Sequence, residues 1–356
     1  MVMLDLRPVG YVVGLLVAVL GLTMSLPLLV DLAEGRGHWP IFAESAVITA
    51  LTGGLIALSC ANGVREGLSI QQTFLLTTGV WLALPVFRAL PFFLGATEAR
   101  FVDAFFEAMS GLTTTGSTVF SGLDELPKGL LLWRGILQWL GGIGIVVVAM
   151  VFLPELRVGG MQIFRTESFD TFGKILPRAT EIASRISVIY VSLTMACAVA
   201  YVLAGMGAFD ATVHAMTTIA TGGFSNYDSS FAAFGPGASY VATVFMLLAA
   251  LPFVRFVQLS AGTARPLLQD TQIHAFLGTA TIVVILIAGW NISQQSTINE
   301  KAIRVAIFNA VSLMTGTGYA NADYMQWGSF AIAVLFFTGL IGGCAGSTAC
   351  SIKIFR

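Results

Sequence analysis

Apolar residues in this chain come in blocks of about twenty, near 9–30, 41–60, 74–94, 129–153, 185–205, 236–259, 274–291 and 326–341, with short polar stretches between them. A helix needs about 20 predominantly apolar residues to cross a hydrocarbon core, so each block is expected to span a membrane. The first block is too long and too weakly terminated for a cleaved signal peptide and is read as a retained helix. Three shorter half-apolar pieces, near 101–112, 210–220 and 302–314, cannot cross. They suit re-entrant half-helices, each set between two long blocks.

Composition agrees with the pattern. Of 356 residues, 56% are hydrophobic and 10% charged, where soluble domains carry about 25% charge. That excludes a soluble globule, a disordered chain and a coiled coil, and a net charge of -1 leaves no basic field for nucleic acid. Cys60, Cys197, Cys344 and Cys350 lie in apolar or Gly-rich segments, without metal-ligand spacing or a disulfide framework. The fold class is therefore an all-α polytopic membrane protein. Arg7, Arg65, Arg157, Arg165, Lys174, Arg178, Arg185, Arg265, Lys353 and Arg356 all fall on one side if the N-terminus is cytoplasmic, which is the orientation the positive-inside rule favours. The half-helices then enter from outside.

Comparison of the half-helices exposes an internal repeat. Phe106, Ala108, Ser110, Thr113, Thr115 and Gly116 recur as Phe308, Ala310, Ser312, Thr315, Thr317 and Gly318, and the piece Val213–Gly223 shares an Ala-Met step and the final glycine. The closing glycines Gly116, Gly223 and Gly318 are 107 and 95 residues apart. A short helix ending in Thr/Gly presents the negative end of its dipole, and glycine allows backbone angles that gather carbonyls toward one axis. Rings of carbonyls replace the hydration shell of a cation. Outer turns would need no shared register, so a cation pore is the stronger reading.

At these residues the chain resembles the TrkH/KtrB family of potassium uptake proteins, closer to its TrkH branch. The resemblance is carried by FFEAMSGLTTTGSTVFSGLDELP (105–127), LQWLGGIGIVVVAMVFLPELRVGGMQIFRTE (137–167), TTIATGGFSNYD (217–228), VSLMTGTGY (311–319) and GGCAGSTACSIK (342–353). It implies repeated M1–re-entrant pore loop–M2 units around a pseudo-fourfold ion pore, preceded by two N-terminal helices. It implies potassium uptake across the bacterial cytoplasmic (inner) membrane, no enzymatic activity and no tightly bound cofactor, with the potassium ion as substrate. The implied partners are a second copy in a homodimer, a cytosolic nucleotide-binding regulatory subunit of TrkA type and the lipid bilayer. The filter segments it marks are Thr114, Thr115 and Gly116; Thr221, Gly222 and Gly223; and Gly316, Thr317 and Gly318. Serine at the first filter glycine goes with sodium permeation in plant relatives, so Gly116 favours potassium. The stretch after the last apolar block, with Gly342, Gly343, Gly346, Ser347, Thr348 and Lys353, corresponds to an intramembrane gate loop. Here Ala349, Cys350 and Ser351 stand where the family carries glycines, which implies a stiffer loop.

That stretch cannot be a fourth filter. Only 28 residues separate Gly318 from Gly346, too few for two crossings and a half-helix at about 20 residues per crossing. The expected organisation is an N-terminal helix pair at 1–70, pore unit 1 at 71–160, a cytoplasmic connector with pore unit 2 at 161–265, and pore unit 3 with the gate loop at 266–356. The fourth unit is absent, and a truncated or incomplete form of a longer transporter is expected. The competing classes are an ion-coupled secondary transporter, a sodium-permeant member of the same family and a membrane enzyme. The enzyme is disfavoured because His38, His214 and His274 are far apart and no nucleophile–base pair stands out.

Among single residues, Arg88 is expected to snorkel to the outer interface and His214 to cap a helix or line an outer vestibule. Arg134 is open between anchoring and shaping the vestibule. Lys353 is open between opposing cations at a closed gate and anchoring at the cytoplasmic face. The Gly141–Gly144 run suits close helix packing.

Overall fold

The computed structural model describes residues 5–35, 37–63, 68–147, 179–295 and 299–356. Among them the structure is helical, apart from one isolated bridge between Ile341 and Ile352. Arg65 and the expected cytoplasmic connector with Arg157, Arg165, Lys174 and Arg178 lie outside the described residues. The chain divides into two compact units, Met1–Leu112 with Thr118–Leu137, and Thr113–Ser117 with Gln138–Arg356.

In the first unit, α1 (Arg7–Thr23) and α2 (Ser25–Glu34) form one apolar stretch, and α3 (Trp39–Cys60) packs along α1. Small residues set that contact. A Cβ on Gly14 or Gly21 would press into the α3 backbone at Ala57 or Ala50, and one on Gly53 into α1 at Ala18. Lipid supplies no hydrophobic drive between helices, so such close approach is what holds them together. Helix α4 (Ile70–Arg88) opens on a capping box, in which Ser69 Oγ accepts from Gln72 N and Gln72 Oε1 accepts from Ser69 N. A short α5 (Leu90–Leu94) follows, then the half-helix α6 (Phe101–Leu112).

Helix α7 (Lys128–Val147) begins in the first unit and continues into the second. Its free N-terminal amides find a partner in Asp31, buried on α2, whose Oδ1 accepts from Gly129 N at 2.6 Å. Asp31 also accepts from His38 Nδ1 at 2.8 Å, while His38 Nε2 accepts from Ala96 N at 3.2 Å. That second bond fixes the proton on Nδ1.

The second unit holds α8 (Ala179–Leu203), the half-helix α9 (Ala208–Ile219), α10 (Pro236–Ala249), α11 (Phe253–Ser260), α12 (Arg265–Leu268), α13 (Thr271–Gln295), the half-helix α14 (Glu300–Thr315) and α15 (Ser329–Leu340). Two expected spans are corrected here. The block 236–259 is not one straight helix, because α10 and α11 meet at 90° across Ala250–Pro252. Pro252 has no N–H to continue the ladder and forces the residue before it out of helical geometry. In the block 326–341 the α-helix covers only Ser329–Leu340, about 18 Å long and too short to cross, after a 3-10 turn over Tyr324–Trp327. The half-helices fare better: α6 and α9 coincide at both ends under a shift of 107 residues. Helix α14 is a little longer, capped by Asn299 Oδ1 accepting from Ala302 N. All four cysteines are free thiols.

Candidate functional site

Each half-helix runs straight into one of the expected filter segments, and the three share a backbone signature. Thr114 and Gly116 have φ of 55° and 77°, Thr221 and Gly223 48° and 80°, Gly316 and Gly318 73° and 82°. The first and third positions are left-handed and the middle one is not. In an extended strand successive carbonyls alternate in direction; alternating handedness turns them toward the same side. The strain is real at the two threonines, since a non-glycine residue in this region costs roughly 1–2 kcal/mol. Strain of this kind persists only where the surroundings over-determine it.

The three segments lie together in the second unit. A Cβ on Gly116 would overlap the Gly222 carbonyl oxygen, and one on Gly223 would overlap the Thr317 carbonyl oxygen. The third position of each loop thus abuts the middle carbonyl of the next. At Gly318, the last of the three, a Cβ would meet nothing within 4 Å.

Behind each loop, one repeat position on the half-helix ties down the outgoing chain, with different chemistry each time. In the first unit Glu107 accepts from Thr118 Oγ1 at 2.9 Å and from Val119 N at 3.1 Å. In the second unit His214 Nδ1 donates to the Asp210 carbonyl at 2.8 Å, so Nε2 accepts from Ser225 Oγ at 3.0 Å. Asn309 Nδ2 donates to Asn321 Oδ1 at 2.7 Å. His214 is therefore neither a vestibule residue nor a helix cap. It is fully buried, edge-on to Phe231 and Phe234. Tyr319, just past the third loop, adds a link: its hydroxyl meets Thr217 and Thr218 near the end of α9, while Ser312 Oγ donates to its carbonyl.

Both expectations for Arg134 fail. Its Nε donates to Glu107 Oε1 at 2.9 Å, with the two side chains 2% and 0% exposed, so it neither anchors at an interface nor lines a vestibule. Arg88 does not snorkel either. It is 5% exposed, and its Nε and Nη1 meet no acceptor. Gly142 matches the packing expectation, since a Cβ there would crowd the Tyr190 hydroxyl and Ala220, just past α9.

The middle position of each loop is braced as well. Thr113 and Thr115 hydroxyls pair at 2.7 Å in the first loop, and Thr315 and Thr317 at 2.8 Å in the third. The second loop has Ala220 and Gly222 at those offsets and no hydroxyl pair. Buried Gln138 on α7 fills the place: its Nε2 donates to the Gly222 carbonyl at 2.7 Å and its Oε1 accepts from Phe224 N at 3.0 Å.

The expected gate loop is laced to the break between α10 and α11. Carbonyls freed by that break accept from it: Ala250 O from Cys344 N at 2.9 Å, and Ala249 O from Thr348 Oγ1 at 3.1 Å. Thr348 Oγ1 also lies 3.0 Å from the carbonyl of Ile219, the last residue of α9, and Phe253 N donates to Gly346 O at 2.9 Å. Buried Gly342 cannot carry a side chain, because a Cβ would overlap the Cys350 carbonyl, and Gly343 is packed against Ala250. Ser347 Oγ donates to Cys344 O, and Lys353 Nζ donates to the Ala349 carbonyl inside the same loop. Cys350 Sγ occupies the space a side chain on Gly316 would take.

The TrkH cation transport protein model matches residues 38–356. A Trk system potassium uptake protein TrkI from Halomonas elongata is 41% identical over 98% of this chain and 71% of its own length. A Trk system potassium uptake protein TrkH from Escherichia coli K12 is 37% identical over 98% of this chain and 74% of its own. The crystal structure of the potassium transporter TrkH from Vibrio parahaemolyticus superposes with a TM-score of 0.88 at 35% identity, covering 99% of this chain and 74% of that one. Matches this long, extending through the half-helices, the filter segments and the broken helices, place the chain in the TrkH family of membrane cation transport proteins.

Proposed function

We propose that this protein takes up potassium across the bacterial inner membrane, with Thr114–Gly116, Thr221–Gly223 and Gly316–Gly318 as filter segments whose main-chain oxygens replace the ion's hydration shell. The observation that carries the reading is the repeated left-handed pair at matched positions in all three loops, with Gly116 set against the Gly222 carbonyl and Gly223 against the Thr317 carbonyl. Backbone oxygen held this way is the chemistry a dehydrated monovalent cation requires. The loop from Gly342 to Lys353 is the gate beneath the filter, latched by Thr348 to Ala249 or Ile219.

Three of the four units of such a pore lie on these residues: 71–160, 161–265 and 266–356, after the helix pair at 1–70. Two facts support a fourth segment beside the third loop: the open space next to Gly318, and the exposed side chain of Thr115 at the opposite end of the series, where Thr317 is buried. The remaining assembly follows the resemblance: a cytoplasmic N-terminus, a homodimer, and a nucleotide-binding cytosolic subunit of TrkA type. Potassium flux into liposomes carrying the complete protein tests the reading; folded protein that passes potassium no faster than sodium overturns it.

A further inference from the structure

The loops share a backbone but not the means of holding it, and the exception is the second. In the first and third, a threonine two residues ahead pairs with the hydroxyl of the middle threonine, at 2.7 and 2.8 Å. The second loop cannot do this with Ala220 and Gly222. Its middle position is filled from another helix: a Cβ on Gly222 would coincide with the carboxamide of Gln138. Gln138 is fully buried, and both ends of its amide are used within three residues of backbone, on the Gly222 carbonyl and the Phe224 amide. The same Gly222 carbonyl abuts Gly116 of the first loop.

We infer that Gln138 is a selectivity-determining positioning residue, which supplies from α7 the brace that the second filter loop lacks in its own sequence. Its amide N–H fixes the direction of the Gly222 carbonyl, and its amide oxygen fixes the peptide two residues later. The loop is thereby held in the left-handed pair that its neighbours keep with their own threonines. Because that carbonyl lies against the first loop, a slack second loop changes the spacing across two segments at once. Ion preference depends on that spacing more than total flux does.

This inference rests on the pore reading, and the test separates the two. Gln138→Met removes both bonds at similar volume, and Gln138→Glu keeps the acceptor for Phe224 N while taking away the donor to Gly222. Thr317→Val removes the corresponding brace in the third loop. Each is compared with the wild-type complete protein in liposomes, by potassium-to-sodium permeability ratio from reversal potentials, with folded yield read by gel filtration. The loss of two buried hydrogen bonds predicts a fall in the ratio of at least about tenfold for Gln138→Met, with Gln138→Glu, which loses one, between it and wild type. Thr317→Val moves the ratio the same way.

A residue that merely holds the fold would lower thermal stability and leave the ratio unmoved. An unmoved ratio in both Gln138 variants, or neither variant yielding folded protein, overturns the assignment. If wild-type protein itself shows no potassium preference, the pore reading fails instead.

Discussion

Removing one partner of the Glu107–Arg134 pair decides between two physical pictures of the N-terminal end of α7. Read as an anchor at the interface, Arg134 would sit in water or headgroups, where an ion pair contributes about 0–1 kcal/mol. The structure instead buries both side chains almost completely at 2.9 Å, with Glu107 also accepting from Thr118 and Val119. Replacing one member of a buried pair leaves the other charge with no counter-ion in a low-dielectric site, at a cost of about 3–5 kcal/mol. Arg134→Gln and Glu107→Gln are therefore each expected to lower the thermal stability of the purified protein severely. The double variant is expected to recover a large part, since two neutral amides strand no charge. A double-mutant cycle gives the coupling directly. Single variants within about 1 kcal/mol of wild type, with no coupling, would refute the buried-pair account and restore the interface reading.

Gly116→Ser is expected to cut the potassium-to-sodium permeability ratio, because it places a side chain at φ 77° and drives it into the Gly222 carbonyl. The left-handed strain alone is roughly 1–2 kcal/mol, so reversal potentials should shift while gel filtration still shows folded protein. An unchanged ratio counts against the filter. Thr348→Val keeps shape and the 3.3 Å bond from Thr348 N to the Ala249 carbonyl but removes the hydroxyl that joins the Gly342–Lys353 loop to Ile219 and Ala249. The latched form should lose about 1 kcal/mol and basal potassium flux without the cytosolic partner should rise about fivefold; unchanged basal flux refutes the latch.

Much of the architecture was legible because the membrane imposes a length rule. Blocks of about twenty apolar residues mark crossings, and the half-helices at 101–112 and 210–220 emerge within two residues of where the pattern put them. The 90° break at Ala250–Pro252 was missed although Pro252 stood in the block, because hydropathy registers polarity and is blind to a lost N–H. Arg134 and His214 were misread for a common reason. A lone polar residue near the end of an apolar run looks interfacial, and whether an acid such as Glu107 or a hydroxyl such as Ser225 waits opposite depends on contacts far along the chain. The tie from Asp31 to α7 gave no signal either, since the partner there is the backbone amide of Gly129, 98 residues on. The positive-φ glycines Gly116, Gly223 and Gly318 were legible because positive φ at a fixed offset restricts residue choice within the segment itself.

What the repeat preserves is the conformation of three loops; how each is held in place has drifted. One half-helix position carries Glu107, His214 and Asn309, a carboxyl group, an imidazole and a carboxamide. Each nonetheless hydrogen-bonds the chain leaving its loop at 2.7–3.0 Å. The middle position carries a threonine pair twice and a glutamine from another helix once. Selection acting on side-chain identity would have kept one solution in all three units. Selection acting on where a backbone oxygen points tolerates any donor that reaches it, which is the outcome expected if main-chain carbonyls are the ligands. Side-chain ligands would instead demand the same residue type at one offset in each loop, and the middle positions Thr115, Gly222 and Thr317 do not supply it.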